Sequence, residues 1–284
     1  MNAVKHIQDR FGQSDRRACK LTGLCRNTLR YKLEPDTDIL LRKRMKELAE
    51  QRRKFGAVRL HTLLKKEGLV VNHKRTERIY KEEGLVLRRR KRRRKACITR
   101  LKPDVVLRPN QRWSMDFVHD QLSNGRRLRC LTIIDNYTRE CVALEVDTSL
   151  TGTRVARVLD RLTDVRGLPE IITVDNGSEF TGKSMDKWAY KNKVKLDFIT
   201  PGKPTENAYI ESFNGKFREE CLNDNWFWSI VHARYIIEAW RIDYNTQRPH
   251  SSLNNLTPDE FVMKWQFSQG LAPVKDTQGA VQQA

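Results

Sequence analysis

Residues 111 to 146 read QRWSMDFVHDQLSNGRRLRCLTIIDNYTRECVALEV. Three segments of this stretch have the apolar runs and alternation that are typical of strands: 113 to 119, 128 to 135 and 140 to 146. The Asn124-Gly125 pair between the first two segments is a strong hairpin signal. We therefore predict that a sheet begins here with three consecutive strands.

Helical and extended patterns alternate after this stretch. We predict, in chain order, a helix at 151 to 165, a strand at 170 to 175, a helix at 182 to 192, a strand at 194 to 199, a long helix from 205 and a helix at 229 to 244. The order βββαβαβα indicates an α/β fold in which helices flank a mixed five-stranded sheet.

Three acids occupy positions in this pattern that suit a catalytic site. Asp116 lies in the apolar run RWSMDFV, where a bound cation would lower the cost of desolvating a carboxylate. Asp175 ends the strand IITV, and site residues of α/β sheets usually lie at the carboxyl ends of strands. Glu211 comes after 35 intervening residues, in a helix that Thr205 can cap. Three carboxylates from separate segments are suited to hold two divalent cations over a phosphodiester.

Two other acids compete with Asp116 for this role. Asp120 lies at the end of the same strand without flanking apolar residues, which favours a solvated turn acid. Asp135 also ends an apolar strand, but the Asn-Tyr-Thr sequence that follows favours a turn role through side-chain hydrogen bonds to the backbone. We therefore prefer Asp116.

The helix that carries Glu211 offers further polar groups on the same face. Asn207, Asn214, Gly215 and Arg218 lie at positions i−4, i+3, i+4 and i+7 from Glu211. This face therefore combines a carboxylate, two amides and a cation.

These segments resemble the DDE transposases and retroviral-type integrases, in particular the insertion-sequence transposases whose integrase core is encoded by a second open reading frame (orfB type). The resemblance rests on WSMDFV, VDNGSEF, the 35-residue gap before Glu211, ENAYIESFNGKFREECLN and YNTQRPHSSL, and it covers residues 100 to 265. It implies a ribonuclease H-like integrase core, preceded here by an all-α, basic helix-turn-helix-like region.

The resemblance also implies a chemistry and a set of partners. Asp116, Asp175 and Glu211 would be the catalytic residues and would hold two Mg²⁺ ions, with Mn²⁺ as an alternative cation. Water would cleave the 3′ end of the element, and the freed hydroxyl group would attack the target DNA. The implied partners are double-stranded DNA of the element ends and the target, at least one further copy of the chain, and the product of an upstream reading frame.

We expect basic and amide side chains near the site and in the amino-terminal region to contact DNA. They are Arg218, Asn207, Asn214, Asn176, Lys74, Arg75, Arg248, His250, Arg88, Arg89, Arg90, Lys91, Arg92, Arg93, Arg94 and Lys95. For Arg248 and His250 this expectation rests on their place in the QRPHSSL segment, without a physical derivation.

The net charge of +20 lies entirely in the first hundred residues, which contain 31 Lys and Arg against 11 Asp and Glu. The remaining residues contain 24 of each sign. A basic module followed by a neutral one indicates a part that binds a polyanion and a part that acts on it. A basic surface that is merely solvated is the alternative.

The basic module has helical patterns throughout. Residues 14 to 33 have helix-turn-helix spacing, with Ser14 as a candidate N-cap residue and a turn at Gly23; an ordinary helical hairpin is the alternative. Helices at 38 to 54, 57 to 67 and 73 to 83 form a second, trihelical unit. We predict that it recognises terminal DNA sequence; a purely structural bundle is the alternative.

The run RRRKRRRK at 88 to 95 repels itself and therefore indicates a linker that follows phosphates. These patterns divide the chain as follows: a helix-turn-helix-like segment at 1 to 35, a basic trihelical region at 36 to 87, a basic linker at 88 to 104, an integrase core at 105 to 265, and a disordered tail at 266 to 284.

The cysteines show no CxxC pair, and His61, His73 and Cys97 lie too far apart in sequence for the zinc module of retroviral integrases, so we expect no zinc. No run of 18 apolar residues and no signal-peptide core is present, so we expect a cytoplasmic, nucleoid-associated protein without a membrane partner. Two alternative functions remain: a ribonuclease H-like nuclease or resolvase that does not join DNA, and a DNA-binding regulator.

Overall fold

The computed structural model of the protein describes residues 2–30, 38–87, 105–200 and 207–270. The chain divides into two compact units, Met1–Arg44 and Met45–Ala284.

The first unit begins with three short helices: α1 (Asn2–Phe11), α2 (Asp15–Thr22) and α3 (Arg26–Arg30). Gly23 ends α2 in the left-handed conformation, with a φ of 67°, and its N–H donates to the carbonyl group of Cys19. Ser14 is the N-cap residue of α2, but its hydroxyl group makes no capping hydrogen bond within the described residues. Two helices joined by a turn at Gly23 are therefore present as predicted, and this arrangement fits both a helix-turn-helix and an ordinary helical hairpin.

Three further helices form the trihelical region: α4 (Ile39–Gln51), α5 (Ala57–Lys66) and α6 (His73–Glu82). Leu60 and Leu64 lie one turn apart on α5, and both are fully buried, as is Ile79 on α6. Asn72 caps α6 by accepting a 3.0 Å hydrogen bond from the N–H of Lys74. All three predicted helices are confirmed.

The core of the second unit is one five-stranded sheet. Its strands are β1 (Arg112–Gln121), β2 (Arg127–Asp135), β3 (Cys141–Asp147), β4 (Ile171–Val174) and β5 (Lys195–Phe198). The spatial order is β3-β2-β1-β4-β5. The pairs β1–β2 and β2–β3 are antiparallel, and β1–β4 and β4–β5 are parallel. This is the mixed five-stranded sheet that the sequence predicts.

The helices of the core are α7 (Gly152–Arg166), α8 (Lys183–Asn192), α9 (Ala208–Glu220), α10 (Ile230–Thr246) and α11 (Pro258–Ser268). Because side chains alternate along a strand, β1 sends Trp113 and Met115 to the face that packs on α7 and α8. Val118 points to the other face, where Phe213 and Phe217 of α9 cover it. The sheet thus lies between two helical layers, and the even positions of β1, Asp116 among them, face α9.

Two predicted boundaries need comment. The tail was expected to begin at residue 266, whereas α11 continues to Ser268, because Thr257 and Glu260 form a capping box that starts this helix with Pro258 in its first turn. The expected cap Thr205 lies outside the described residues, and α9 begins at Ala208.

The trihelical region packs directly on the core within the second unit. Arg52 donates two hydrogen bonds of 2.6 Å to the carboxylate of Asp243 on α10. Phe55 is buried, and the guanidinium groups of Arg52 and Arg59 each lie 5.2 Å from the centre of its ring. Part of the positive charge of this region is therefore paired with acids of the core.

None of the helices in the described ranges is both long and apolar enough to cross a lipid bilayer.

Candidate active site

Asp116 lies in the middle of β1, half-buried on the face toward α9. Its Oδ1 atom accepts a 2.7 Å hydrogen bond from the N–H of Phe117, and its Oδ2 atom accepts a 2.7 Å bond from Nδ2 of Asn214 on α9. The strand thus supplies the carboxylate, and the helix helps to orient it.

Asp175 directly follows β4, the parallel neighbour of β1. Ser114 is paired with Thr173, and two residues further along each strand are Asp116 and Asp175. The parallel register therefore brings these acids to the same edge of the sheet. The N–H of Gly177 donates a 3.0 Å hydrogen bond to Oδ1 of Asp175.

Residue 177 must also lack a side chain, because the carboxylate of Asp175 lies close to it. A Cβ atom at residue 177 would lie 2.9 Å from Oδ1 of Asp175 and 3.4 Å from Oε2 of Glu179. The absence of a side chain at Gly177 therefore allows the carboxylate of Asp175 to keep its position.

Glu211 lies in the first turn of α9 and is exposed to solvent. Asn214 follows on the same helix face and bonds Asp116, so this face of α9 covers the middle of β1. The structure thus brings Glu211 toward the two strand-borne acids.

Electrostatics link the three carboxyl groups. The pKa of Asp116 is raised from 3.8 to about 6, first by burial and then by the negative charges of Asp175 and Glu211. The hydrogen bonds from Phe117 and Asn214 oppose this rise. Burial, together with the charges of the other two acids, therefore makes the anionic form of Asp116 costly.

Three carboxylates are hard oxygen donors, the ligand type that Mg²⁺ prefers. As their side chains are placed, however, no group of three His, Cys, Asp or Glu in the described ranges is close enough to hold a metal ion. The three acids share one electrostatic environment, and their side chains must approach further before they can share one ion.

The loop that carries Asp175 is held by contacts that the sequence analysis missed. Arg129 of β2 bonds Glu179 over 2.7 Å, and the guanidinium group of Arg129 lies 4.4 Å from the ring centre of Phe117. Phe117 in turn stacks on Phe180, with ring centroids 5.0 Å apart. We call Arg129, Glu179, Phe117 and Phe180 the loop clamp. Arg129 interrupts an otherwise apolar strand, and this was the one signal in the sequence.

The competing acid Asp135 has the turn role that was expected for it. It has no exposed surface, and its carboxylate accepts bonds from the N–H groups of Tyr137, Thr138 and Asn110 at 2.8, 3.0 and 2.8 Å. Because these bonds engage its carboxylate, Asp135 does not belong to the candidate active site. Asp120 is half-buried within β1, paired with Leu128, and its carboxylate accepts a 2.8 Å bond from the N–H of the next residue, so it is a strand residue and not the solvated turn acid that was expected.

The polar residues near Glu211 have several different surroundings. Arg218 is exposed and donates a 2.7 Å hydrogen bond to the carbonyl group of His119. Asn176 is exposed and donates to the carbonyl group of Ile199 over 2.8 Å. Asn207 is buried, and its Oδ1 atom has no hydrogen-bond partner within the described residues. Arg218 and Asn176 therefore retain surface for a ligand, whereas Asn207 and Asn214 face the protein.

Arg248 and His250 lie in the interior, where the expectation of a surface contact with DNA does not fit. Arg248 is 2% exposed and makes two hydrogen bonds, of 2.8 and 2.7 Å, to the carboxylate of Glu220. His250 is 4% exposed and packs edge-on against the ring of Tyr244. This placement favours a structural role for both, because an acid from α9 and an aromatic ring from α10 enclose them.

The remaining expected DNA contacts lie in the amino-terminal part. Lys74 is exposed and Arg75 is half-buried in the first turn of α6. The run from 88 to 95 lies outside the described residues.

Comparisons with known proteins agree with this architecture. Two models described as "Integrase core domain" match residues 107–204 and 192–258, and one described as "HTH-like domain" matches residues 35–93.

Curated relatives extend over most of the chain. It is 52% identical to the "Insertion element IS407 uncharacterized 31.7 kDa protein" of Burkholderia multivorans, covering 91% of this chain and 94% of that one. It is 43% identical to the "Insertion element IS476 uncharacterized 39.2 kDa protein" of Xanthomonas euvesicatoria, covering 94% and 78%.

A solved structure shares the fold. In the cryo-EM structure of a simian T-cell lymphotropic virus intasome with PP2A regulatory subunit B56 gamma, one chain superposes with a TM-score of 0.52 at 16% identity, covering 84% of this chain and 80% of that one. With two insertion-element relatives above 40% identity and the core and HTH-like matches in this order, the chain belongs to the integrase-core family of insertion-sequence transposases.

Proposed function

We propose that the protein is the transposase of a bacterial insertion sequence, a polynucleotidyl transferase that cleaves the 3′ ends of its element and joins them to target DNA. The observation that carries the proposal is the convergence on one side of the sheet of Asp116 from β1, Asp175 from the end of β4 and Glu211 from α9. The raised pKa of Asp116, to which both other acids contribute, supports it.

The donor chemistry of these residues suits a pair of divalent cations, which their side chains would bind after approaching further. Their donors are carboxylate oxygens, and burial together with neighbouring negative charge makes the anionic form of Asp116 costly unless a cation compensates it. When bound, two Mg²⁺ ions, with Mn²⁺ as the alternative, would activate the attacking oxygen and neutralise charge on the leaving 3′ oxygen. Asp116, Asp175 and Glu211 would hold them.

The chain's own groups would orient the reaction. Asn214 fixes the carboxylate of Asp116, and Gly177 fixes that of Asp175, so the side chain of Glu211 has the greatest freedom to move toward a cation. Arg218, two turns along α9 from Glu211, would neutralise a phosphate beside the scissile bond. Asn176, in the exposed turn after β4, would steer the strand that is cut.

The basic amino-terminal region would supply recognition of the element ends. Lys74 and Arg75 lie at the start of α6, where side chains of a recognition helix reach base edges or phosphates. The cations at 88 to 95 would add affinity that does not depend on sequence. We further propose that at least two copies assemble to hold two DNA ends, that the product of an upstream frame joins them, and that the protein acts in the cytoplasm at the nucleoid.

One assay separates this function from its alternatives. The protein is incubated with labelled element ends, a target plasmid and Mg²⁺. Strand-joined products support the transposase, nicks alone indicate a nuclease or resolvase, and a mobility shift without either indicates a regulator. Joined products that persist in the absence of any divalent cation would contradict the proposed site.

Single substitutions test which acids carry out the reaction. Glu211→Gln and Asp116→Asn should each lower joining by about a thousandfold or more, while the affinity for element ends stays within about twofold. Asp120→Asn is the matched control, since this acid lies four residues further along the same strand and its carboxylate accepts from the N–H of Gln121. Full joining by Glu211→Gln would refute the assignment.

A further inference from the structure

A second group of charges lies on the other side of α9, away from Glu211. Tyr209, Lys216 and Glu220 share one face of this helix, because they are spaced by seven and four residues. Lys216 is five positions, or about 140° of helical rotation, from Glu211. This face is therefore separate from the one that holds the catalytic acids.

Cations from three other segments meet this face. Arg59 comes from α5, Arg139 from the turn between β2 and β3, and Arg248 from the segment after α10. We call Arg59, Arg139, Lys216 and Arg248 the basic cluster. The charges of the other three members all act on Lys216. Among the described residues, Glu220 is the acid that acts most strongly on Lys216, so three cations and one carboxylate act on its ammonium group.

The single carboxylate is already engaged. Arg248 takes both oxygens of Glu220, at 2.8 and 2.7 Å, and Arg59 lies 3.6 Å from one of them. Arg139 lies with its guanidinium carbon 3.7 Å from the ring centre of Tyr209 and donates to the carbonyl group of Asn136. The acids of this region therefore leave a large excess of positive charge.

The ammonium group of Lys216 lacks an acceptor within the described ranges. It is half-buried, and in the described part of the chain no side-chain or carbonyl oxygen bonds it. His250 lies in the interior, 4% exposed, and is not available to a surface ligand. An unpaired ammonium group at such burial is costly, and an anion with several oxygens would satisfy it.

We propose that Lys216, Arg59 and Arg139, the half-buried members of the basic cluster, bind a phosphate group of the DNA backbone at a site distinct from the catalytic acids. Arg248 stays buried against Glu220. The choice of DNA as the source of the phosphate rests on the proposed function. The position of the cluster supports it: Arg59 belongs to the segment that matches the HTH-like domain, and Lys216 belongs to the integrase core. A backbone that passes from one to the other meets the cluster.

The electrostatics agree with this geometry. Burial, followed by the charges of Arg248, Arg59 and Arg139, lowers the pKa of Lys216 to about 8, although Glu220 opposes this shift. An added anion would relieve that repulsion, as a second carboxylate would.

The test uses the full chain, with Lys216→Met as the variant, Lys216→Arg as the charge-preserving variant and Lys187→Met, an exposed lysine on α8, as the matched control. In the first arm, thermal unfolding is measured in sodium sulfate and in sodium chloride at equal ionic strength. We expect sulfate to raise Tm beyond chloride for the native protein, Lys216→Arg and Lys187→Met, and this extra rise to be lost in Lys216→Met.

In the second arm, binding to duplex DNA is measured from low to moderate salt. Loss of one phosphate contact in Lys216→Met should reduce the magnitude of the slope of log K against log salt by about 0.9. It should also weaken binding to element ends and to scrambled duplexes by the same factor, about tenfold. An unchanged slope with a lost sulfate effect would assign the cluster to a free anion and overturn the DNA proposal. Equal sulfate effects in the native protein and Lys216→Met would overturn the site altogether.

Failure of the proposed function would be recognised separately, since neither arm depends on catalysis. A protein that joins no DNA but shows both effects of Lys216→Met would keep the phosphate site and lose the transposase assignment.

Discussion

Asp116 carries a charge that the folded protein disfavours when no cation is bound. Its pKa is about 6 in the folded chain against 3.8 in its ordinary state, so between these values the folded protein binds more protons than the unfolded chain. Stability from this group is fully present below pH 3.8 and is lost as the pH rises through 6. The acid that we propose as catalytic is thus maintained at the expense of stability.

Asp116→Asn should therefore raise the free energy of unfolding at pH 8 without divalent cations, by at most about 3 kcal/mol, since one pKa unit corresponds to about 1.4 kcal/mol. Urea unfolding of both proteins from pH 3.5 to pH 8 measures this difference, which should vanish below pH 3.8. Mg²⁺ should raise the Tm of the native protein and leave that of Asp116→Asn unchanged. A variant less stable than the native protein at pH 8 would contradict this account.

Gly177 allows a different prediction, because a methyl group there would come within 2.9 Å of the Asp175 carboxylate. Gly177→Ala should displace that carboxylate and lower strand joining at least tenfold, with little loss of stability. Joining rates and urea unfolding measure the two effects. Gly215→Ala, where a Cβ atom meets nothing within 4 Å, is the control for unfolding and should stabilise α9 by about 0.5 to 1 kcal/mol. Native joining rates in Gly177→Ala would show that Asp175 does not need its present position.

The strands and helices illustrate what local pattern determines and what it does not. Period-two apolar residues predicted β1 to β3, and the Asn-Tyr-Thr after Asp135 predicted its turn role, because both depend on neighbours in sequence. Arg248 and His250 were expected to contact DNA because of their place in the QRPHSSL segment, without a physical derivation. Their burial depends on Glu220, which is 28 residues earlier, and on the ring of Tyr244. Partners at such separation leave no local signal.

The loop clamp shows the same dependence on distant partners. Arg129 of β2 pairs with Glu179 across 50 residues, and the hydrogen bond from Arg129 is the largest cause of the lowered pKa of Glu179. Because that pKa is lowered, the stability from the pair is present above pH 4.5 and is lost as the pH falls below it.

A double-mutant cycle tests whether the clamp positions Asp175. Arg129→Met and Glu179→Gln should each lower joining several-fold, and the double variant should be little worse than either single one, because both remove the same contact. The coupling in unfolding free energy should be about 0.5 to 1 kcal/mol, since both side chains are 22% exposed. Asp120→Asn with Arg129→Met is the uncoupled control pair. If the losses of joining in Arg129→Met and Glu179→Gln were additive in the double variant, the contact between the two side chains would not be what positions the Asp175 loop.

Ion pairs join the trihelical region to the core, although the net charges of the two parts do not reveal them. The first hundred residues carry +20 and the remainder none, yet Arg52 and Lys66 are paired with Asp243 and Glu260 of the core over 2.6 Å. These cations fasten the region instead of facing solvent. Lys74, at the start of α6, remains exposed, so under the proposed function DNA recognition and catalysis would be mechanically connected.

Weakening this attachment should therefore reduce joining more than binding. Asp243→Asn removes the acceptor charge for Arg52, a pair that contributes about 0.5 to 1 kcal/mol at its exposure, and leaves the surface of α6 unaltered. We expect affinity for element ends within about twofold of native and joining lowered several-fold, because bound ends are then presented to Asp116, Asp175 and Glu211 less often in the correct position. Glu238→Gln on the same helix, whose partner is Arg241 within α10, is the matched control and should join at the native rate. If Asp243→Asn instead lost affinity and joining in equal proportion, the attachment would serve DNA recognition alone, and the two halves of the molecule would work without mechanical coupling.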